Sequence, residues 1–311
     1  MPLAPLAASV PAASGAAQPV SALRIAAWQV AVVLGFIAAG RGWAVGVTIG
    51  FAAAALLALS AVRIRGTWLS AWAGHWALFM VRRRVHDGTC LPLPAGTAIA
   101  PDGVLVGAGG LAVVARTRRW EIPALEADAR GPGLDLQLVM HGGARLAEPA
   151  AWLAVGVRRD ADAPDDETLR VTLGNALRRL RRSGREIGVL SSPDLRSTLA
   201  HLAHAGPSRE TWRYWQSGPV TQVTLRLGLA AGPSPALRHL LVGAGDATVT
   251  AAVRAGGDGV LRVAAASPDA ADRAVARLVD LGAHLGVRLH RLDGRHGPAV
   301  TASLPIGGTR R

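Results

Sequence analysis

Lysine is absent from this 311-residue chain: all 34 basic residues are arginine. That excludes a Walker A phosphate loop, Schiff-base chemistry and a lysine general base. Cysteine occurs once, at Cys90, so there is no intramolecular disulfide and no cysteine-rich zinc or iron–sulfur site. Acidic residues are missing from the first 86 positions, the first being Asp87. Aromatic residues make up only 4% of the chain, so the places where tryptophans gather stand out. The arginine-only bias matches GC-rich coding and carries no functional weight.

Apolar residues are abundant. They make up 50% of the chain, with a mean hydropathy of +0.28. That is high for a soluble enzyme and low for a polytopic transporter, and it points to a short membrane section joined to a globular one. Of the net charge of +13, +7 falls on residues 1–86, and the remainder carries 27 arginines against 21 acids. The asymmetry marks a boundary near residue 87.

Residues 1–20 are mostly small, apolar and uncharged, and read as a disordered lead. Two apolar runs follow, at 23–39 and 43–62, separated by Gly40, Arg41 and Gly42. About 20 apolar residues cross a hydrocarbon core, so residues 21–62 are expected to form a transmembrane helix hairpin. A cleaved signal peptide is the competing reading of the first run, but no basic segment opens the chain. Small residues recur every four positions, at Ala27, Ala31, Gly35 and Ala39 and at Gly42, Gly46 and Gly50. Such faces allow close helix packing in lipid. Arg63, Arg65 and Arg82 to Arg84 follow the second run and place both termini in the cytoplasm by the positive-inside rule. Residues 63–94 form a basic, tryptophan-rich juxtamembrane segment. Trp68, Trp72 and Trp76 are spaced to form one helical stripe, suited to the bilayer interface or to packing on a partner.

From residue 95 to 311 the pattern becomes strands and amphipathic helices, a cytoplasmic α/β domain of mixed α+β layers whose two halves meet near residue 210. Residues 104–106 and 111–116 flank Gly107-Ala-Gly-Gly110 as a β-hairpin. Strands are expected at 134–139, 152–158, 187–190, 220–229, 247–253, 260–264, 287–292 and 299–304, and helices at 165–182, 193–204 and 268–285.

Chemical signatures are weak. Gly107–Gly110 lacks the third glycine and the following helix of a dinucleotide fingerprint. His201 and His204 have a spacing compatible with metal, but no acid completes a motif on their helix. Asp160-Ala-Asp162 at a strand end resembles the metal-holding pair of nucleotide-sugar glycosyltransferases, while the bland reading is an acidic turn that caps the next helix. Arginines 178, 179, 181 and 182 at a helix end match the helix dipole, and no recognition motif supports nucleic-acid binding. Trp212, Tyr214 and Trp215 form the densest aromatic cluster after the hairpin, either anchoring a core or meeting a partner.

Four passages carry a family resemblance: Leu23-Arg-Ile-Ala-Ala-Trp-Gln29 with Gly40-Arg-Gly-Trp43; Val62-Arg-Ile-Arg-Gly66 with Trp68 and Trp72; Trp152 through Arg158-Arg-Asp-Ala-Asp162 into Leu173-Gly-Asn-Ala-Leu-Arg-Arg179; and Glu210-Thr-Trp-Arg-Tyr-Trp-Gln-Ser-Gly-Pro-Val-Thr221. Running from about residue 21 to 230, they resemble the EccE family, a membrane component of the type VII secretion system of actinobacteria. The resemblance implies a structural subunit at the periphery of an inner-membrane complex, with EccB, EccC and EccD as partners and EccC supplying the ATPase. It implies no catalytic residues, metal or cofactor.

Overall fold

Alanine- and leucine-rich runs without internal proline favour helix, and the N-terminal runs form two. The computed structural model describes residues 22–39, 42–64, 67–82, 84–86, 91–118, 133–143, 146, 148–160, 165–183, 186–228, 234–255 and 258–307. The expected lead 1–20, the turn residues Gly40 and Arg41, and Asp162 lie outside these. The chain divides into two units, Met1–Leu78 and Phe79–Arg311.

In the first unit α1 (Ala22–Ala39) and α2 (Trp43–Ala61) pack along their lengths. Helix α2 ends where Val62 turns extended. The chain then makes a small antiparallel pair, β1 (Arg63–Ile64) with β2 (Thr67–Trp68), before α3 (Leu69–Val81) begins. The Leu69 N–H donates to the Val62 carbonyl at 2.9 Å, so α3 starts beside the end of α2. Among the described residues no helix is long and apolar enough to cross a membrane. The side chains at 22–24, 26–27 and 38–39 of α1 and 59–61 of α2 are not among those described.

Two expectations change here. The small-residue faces do not meet as a glycine seam. Ala31 is buried, at 3% exposure, and Ala53 at 7% is its counterpart on α2. A methyl group added at Gly35, Gly42 or Gly50 would have nothing within 4 Å. Gly46 and Gly50 lie half-buried on the Ala53 face together with Leu56, whereas Gly35 and Gly42 are exposed. Half-buried Leu34 and Leu56 supply bulk on these faces, so backbone approach at glycine is unnecessary. The tryptophan stripe also shortens. Trp68 belongs to β2, leaving Trp72 and Trp76 on α3.

The second unit is built on one large sheet. Its strands are β3 (Val85–His86), β4 (Ala98–Ile99), β5 (Leu105–Gly107), β6 (Gly110–Thr117), β7 (Leu134–Gly143), β8 (Ala150–Arg158), β9 (Gly188–Val189), β10 (Ser208–Glu210), β11 (Trp215–Ser217), β12 (Val220–Gly228), β13 (Thr248–Arg254), β14 (Asp258–Ala265) and β15 (Arg288–Arg291). Among the described residues five helices accompany them: α4 (Asp166–Arg182), α5 (Ser192–Ala203), α6 (Ser234–Val242), α7 (Pro268–His284) and α8 (His296–Ala302). The spatial order is β3-β10-β11-β12-β14-β13-β7-β8-β6-β5-β4, with β15 also on β12 and β9 also on β6. Every pairing described is antiparallel. The mixed α/β class therefore holds in its coarse form, with the described strand pairs all antiparallel.

The topology repeats. Hairpins β5–β6 and β7–β8 are followed by α4, β9 and α5; hairpins β11–β12 and β13–β14 are followed by α7, β15 and α8. In each repeat the late strand shares an edge with the first hairpin, β9 beside β5 on β6 and β15 beside β11 on β12. Strands β7 and β13 join the repeats from Gly143↔Thr248 to Gln137↔Arg254. The hairpin turn at Gly110 has φ +142°, and a Cβ there would lie 2.0 Å from the Val157 carbonyl oxygen, so only glycine fits.

Alternation along the strands separates two faces. One is aliphatic, with Leu136, Leu138, Met140, Val249, Leu261 and Val263 buried beneath α4, α6 and α7. Helix α4 shows why it docks. Leu169, Leu173, Ala176 and Leu180 recur at helical spacing and are all buried, while the Asp165 side chain caps its first turn by accepting from the Thr168 N–H at 2.8 Å. The other face carries α5 and α8. It is apolar in the first repeat, around Leu105, Val114, Val139, Leu195 and Leu199, and polar in the second. The expected strand at 299–304 is instead α8 and its exit, because Ala299 and Val300 are buried at helical rather than alternating spacing.

Candidate functional site

The aromatic loop is a hairpin turn. Strands β10 and β11 pair from Ser208↔Ser217 to Glu210↔Trp215. Thr211 closes the turn, its N–H donating to the Tyr214 carbonyl at 2.8 Å while its hydroxyl accepts from the Tyr214 N–H at 3.0 Å. Trp215 points inward, 5% exposed, and its Nε1–H donates to Ser217 Oγ at 3.0 Å. Trp212 points the other way and meets Phe79 edge to face, with ring centroids 5.3 Å apart. Its ring also lies over Gly294, where a Cβ would come within 2.4 Å of it.

These contacts clamp the segment entering the second unit. Arg82 forms an ion pair with Glu210, whose side chain is 2% exposed, and donates to the Gly294 carbonyl at 2.7 Å. Glu210 also accepts from the Gly297 N–H at 2.9 Å. Strand β3 pairs with β10, Val85 opposite Arg209 and His86 opposite Ser208. The Arg84 guanidinium lies 5.2 Å from the Phe79 ring centroid. Trp212 and Trp215 thus serve this intramolecular junction, and Arg213 is the exposed residue between them.

Tyr214 sits in a charged setting. Its hydroxyl donates to Asp272 at 2.7 Å, Arg291 donates to the same carboxylate at 2.7 Å, and Arg213 does so at 3.0 Å. Burial opposes the Asp272 charge, but hydrogen bonds from Arg291 and Tyr214 hold its pKa below the ordinary carboxylate value. Burial and the Asp272 hydrogen bond raise that of Tyr214.

A second cluster lies on the polar face of the sheet. Arg262 on β14 is 1% exposed and donates to the Leu202 carbonyl near the end of α5, to Gln222 Oε1 at 3.1 Å and to Thr250 Oγ1 at 3.3 Å. No carboxylate pairs with it among the described residues. Carbonyls at a helix C-terminus carry the negative end of the dipole and take that place. Burial lowers the Arg262 pKa to about 9. His141 lies 2.9 Å from Thr250 Oγ1 and packs on His201 with centroids 5.6 Å apart. Burial, then the Arg262 charge, lowers the pKa of His141 and of His204 to about 4. His201 and His204 therefore belong to an arginine-centred network, and His204, with φ 52°, ends α5 in the left-handed conformation.

Asp160 lies exposed beyond β8, and Asp162 is outside the described residues. Asp165 caps α4 and Asp166 pairs with Arg159, so these acids serve the helix start. No group of three or more potential metal ligands occurs among the described residues. On α3, Trp72 and Trp76 are 41% and 48% exposed. Comparison with protein-family models and with curated proteins gives no match.

Proposed function

We propose that this chain is a membrane-anchored structural subunit of a type VII-like secretion complex, as its resemblance to the EccE family implies. One observation carries the anchoring half of the reading. Away from their mutual contact, α1 and α2 present large apolar side chains on every side: Val30, Val32, Val33 and Phe36 on the first, Val45, Val47 and Phe51 on the second, from 50% to 79% exposed. A helix apolar all round needs an apolar surrounding. With 18 and 19 residues, neither helix is long and apolar enough among the described residues to cross a membrane, so this observation supports an apolar surrounding and no more. In this reading the bilayer is that surrounding, both termini are cytoplasmic, and the second unit meets EccB, EccC and EccD-like neighbours. Neither nucleic acid nor a cofactor enters it.

The secretory half rests on the four sequence passages. Its test is purification of a tagged full chain from native membranes, with deletion in parallel. Co-purification of the other membrane components and loss of secretion are expected; assembled, secretion-competent complexes lacking this chain would overturn it. No observation favours the metal-dependent glycosyltransferase alternative built on Asp160 and Asp162. Asp162 lies outside the described residues, and the described strand pairs of the sheet are all antiparallel.

A further inference from the structure

Helix α5 covers the apolar face of the first repeat. Its Leu195, Leu199 and Leu202 are fully buried in one cluster with Leu105, Val114 and Val139. Two polar bonds tie its last turn to the strands beneath. Arg262 donates to the Leu202 carbonyl, and Gln222 Nε2 donates to the Ala203 carbonyl at 3.2 Å. The groups around this tether are basic or neutral. His141 comes from β7, Arg262 from β14, and His201 and His204 from α5 and its cap, while β12 supplies Gln222 and β13 Thr250. At the other end of α5, Asp194 accepts from the Ser191 hydroxyl and Arg196 donates to the Ile99 carbonyl. Across the cleft that Ala203 and Ala205 border stand His86 and the Arg82–Glu210 pair. The charges that act on His141 and His204 are those of Arg262 and the neighbouring histidines, with no carboxylate among them.

We propose that α5 is an acid-released cover over this apolar face. A proton added to His141 or His204 sets a new positive charge beside a guanidinium that is itself fully buried. Lifting α5 separates His201 and His204 from Arg262 and opens His141 to water, where all the added charges are solvated. The direction follows from linkage. The docked rings of His141 and His204 take protons near pH 4, against 6.5 for a free histidine, so the released form binds protons more readily. Docking is therefore complete above pH 6.5 and is lost progressively toward pH 4, each of the two rings favouring release by up to about tenfold per pH unit. The opening is local, because α4, α6 and α7 pack on the opposite face of the sheet. What it uncovers is an apolar surface, Leu105, Val114 and Val139 together with the leucines of α5, presented only under acid. The inference does not depend on the membrane reading.

Amide hydrogen exchange of the full chain in neutral detergent, from pH 7.5 to 4.5 and expressed as protection relative to the unstructured rate at each pH, reads this out. Protection across α5 is expected to fall by about tenfold or more per pH unit below pH 6, while α4 and α7 keep theirs. His141→Gln combined with His204→Asn, the second chosen because asparagine accepts the left-handed cap, should keep α5 protected to pH 4.5. The control His284→Gln, at an exposed position at the end of α7, should leave the wild-type profile unchanged. The wild-type profile tests the proposal without any variant. Protection of α5 that holds to pH 4.5, or an equal loss in α4, α5 and α7, would overturn it. So would a double variant that is folded at pH 7.5 by circular dichroism and still releases α5 at the wild-type pH.

Discussion

Arg262 lies buried on a central strand without a carboxylate partner among the described residues, and its neighbours bear the consequence. His141 and His204 are kept neutral, with pKa near 4 against 6.5 for a free histidine. Protons bind the unfolded chain in preference between those values, so stability is complete above pH 6.5 and falls as pH drops toward 4. For buried His141 the loss is on the order of 2–3 kcal/mol. Thermal melts from pH 7.5 to 4.5 should show a steep fall in Tm, and His141→Gln should flatten it. A Tm independent of pH across that window would contradict the burial of these rings in neutral form. Gly110→Ala is the sharpest backbone test. A left-handed φ and a 2.0 Å approach to Val157 O leave the methyl no room, and a loss above about 2 kcal/mol in denaturant melts is expected.

At the scale of elements, the entry clamp makes a distinct prediction. Glu210 is buried and Arg82 is its charge partner, so Arg82→Ala strands a carboxylate and should cost about 3–5 kcal/mol. Glu210→Gln with Arg82→Ala removes both charges and should recover part of that loss; a double variant no better than the single would refute the pairing. Much of this level was legible in the sequence. The strands at 134–139, 152–158 and 220–229 and the helices at 165–182 and 268–285 were visible because their periodicity is strong and their caps conventional: Asp165 and Ser267 each accept from the N–H three residues on. Helix α6 escaped because it is only nine residues long, and α8 because Ala299 to Leu304 reads equally as strand. The aromatic cluster was visible, but its partner Phe79 lies some 130 residues away, and pairing at that distance leaves no local signal. Arg262 was hidden for a similar reason. An arginine between Leu261 and Val263 is one polar position in an alternating strand; that Gln222, Thr250 and His141 share its face depends on a register that no single strand encodes.

At the scale of the whole molecule the membrane reading is directly testable. Val32→Arg places a charge near the middle of α1, where insertion costs about 2.5–3.5 kcal/mol more than for an apolar residue. Resistance of the full chain to alkaline extraction should drop in this variant and not in Val171→Arg, at an exposed position on α4. Equal extraction of wild type and variant would count against a hairpin in lipid. Orientation has its own readout. A cysteine placed at exposed Arg181 in a Cys90→Ser background should react with an impermeant maleimide only after cells are opened.

Gln137 joins the two ends of the sheet's history. Its amide donates to the Ala302 carbonyl at 2.8 Å, and its carbonyl oxygen accepts from the N–H of Ile306 at 3.3 Å and of Gly307 at 3.1 Å. Leu304 and Ile306, both fully buried, complete the apolar layer over Leu105, Ala112 and Val114 in the first repeat. During synthesis that layer waits for residues made some 170 positions after Gln137. The earlier repeat therefore leaves the ribosome with one apolar face uncovered until residue 307 has emerged.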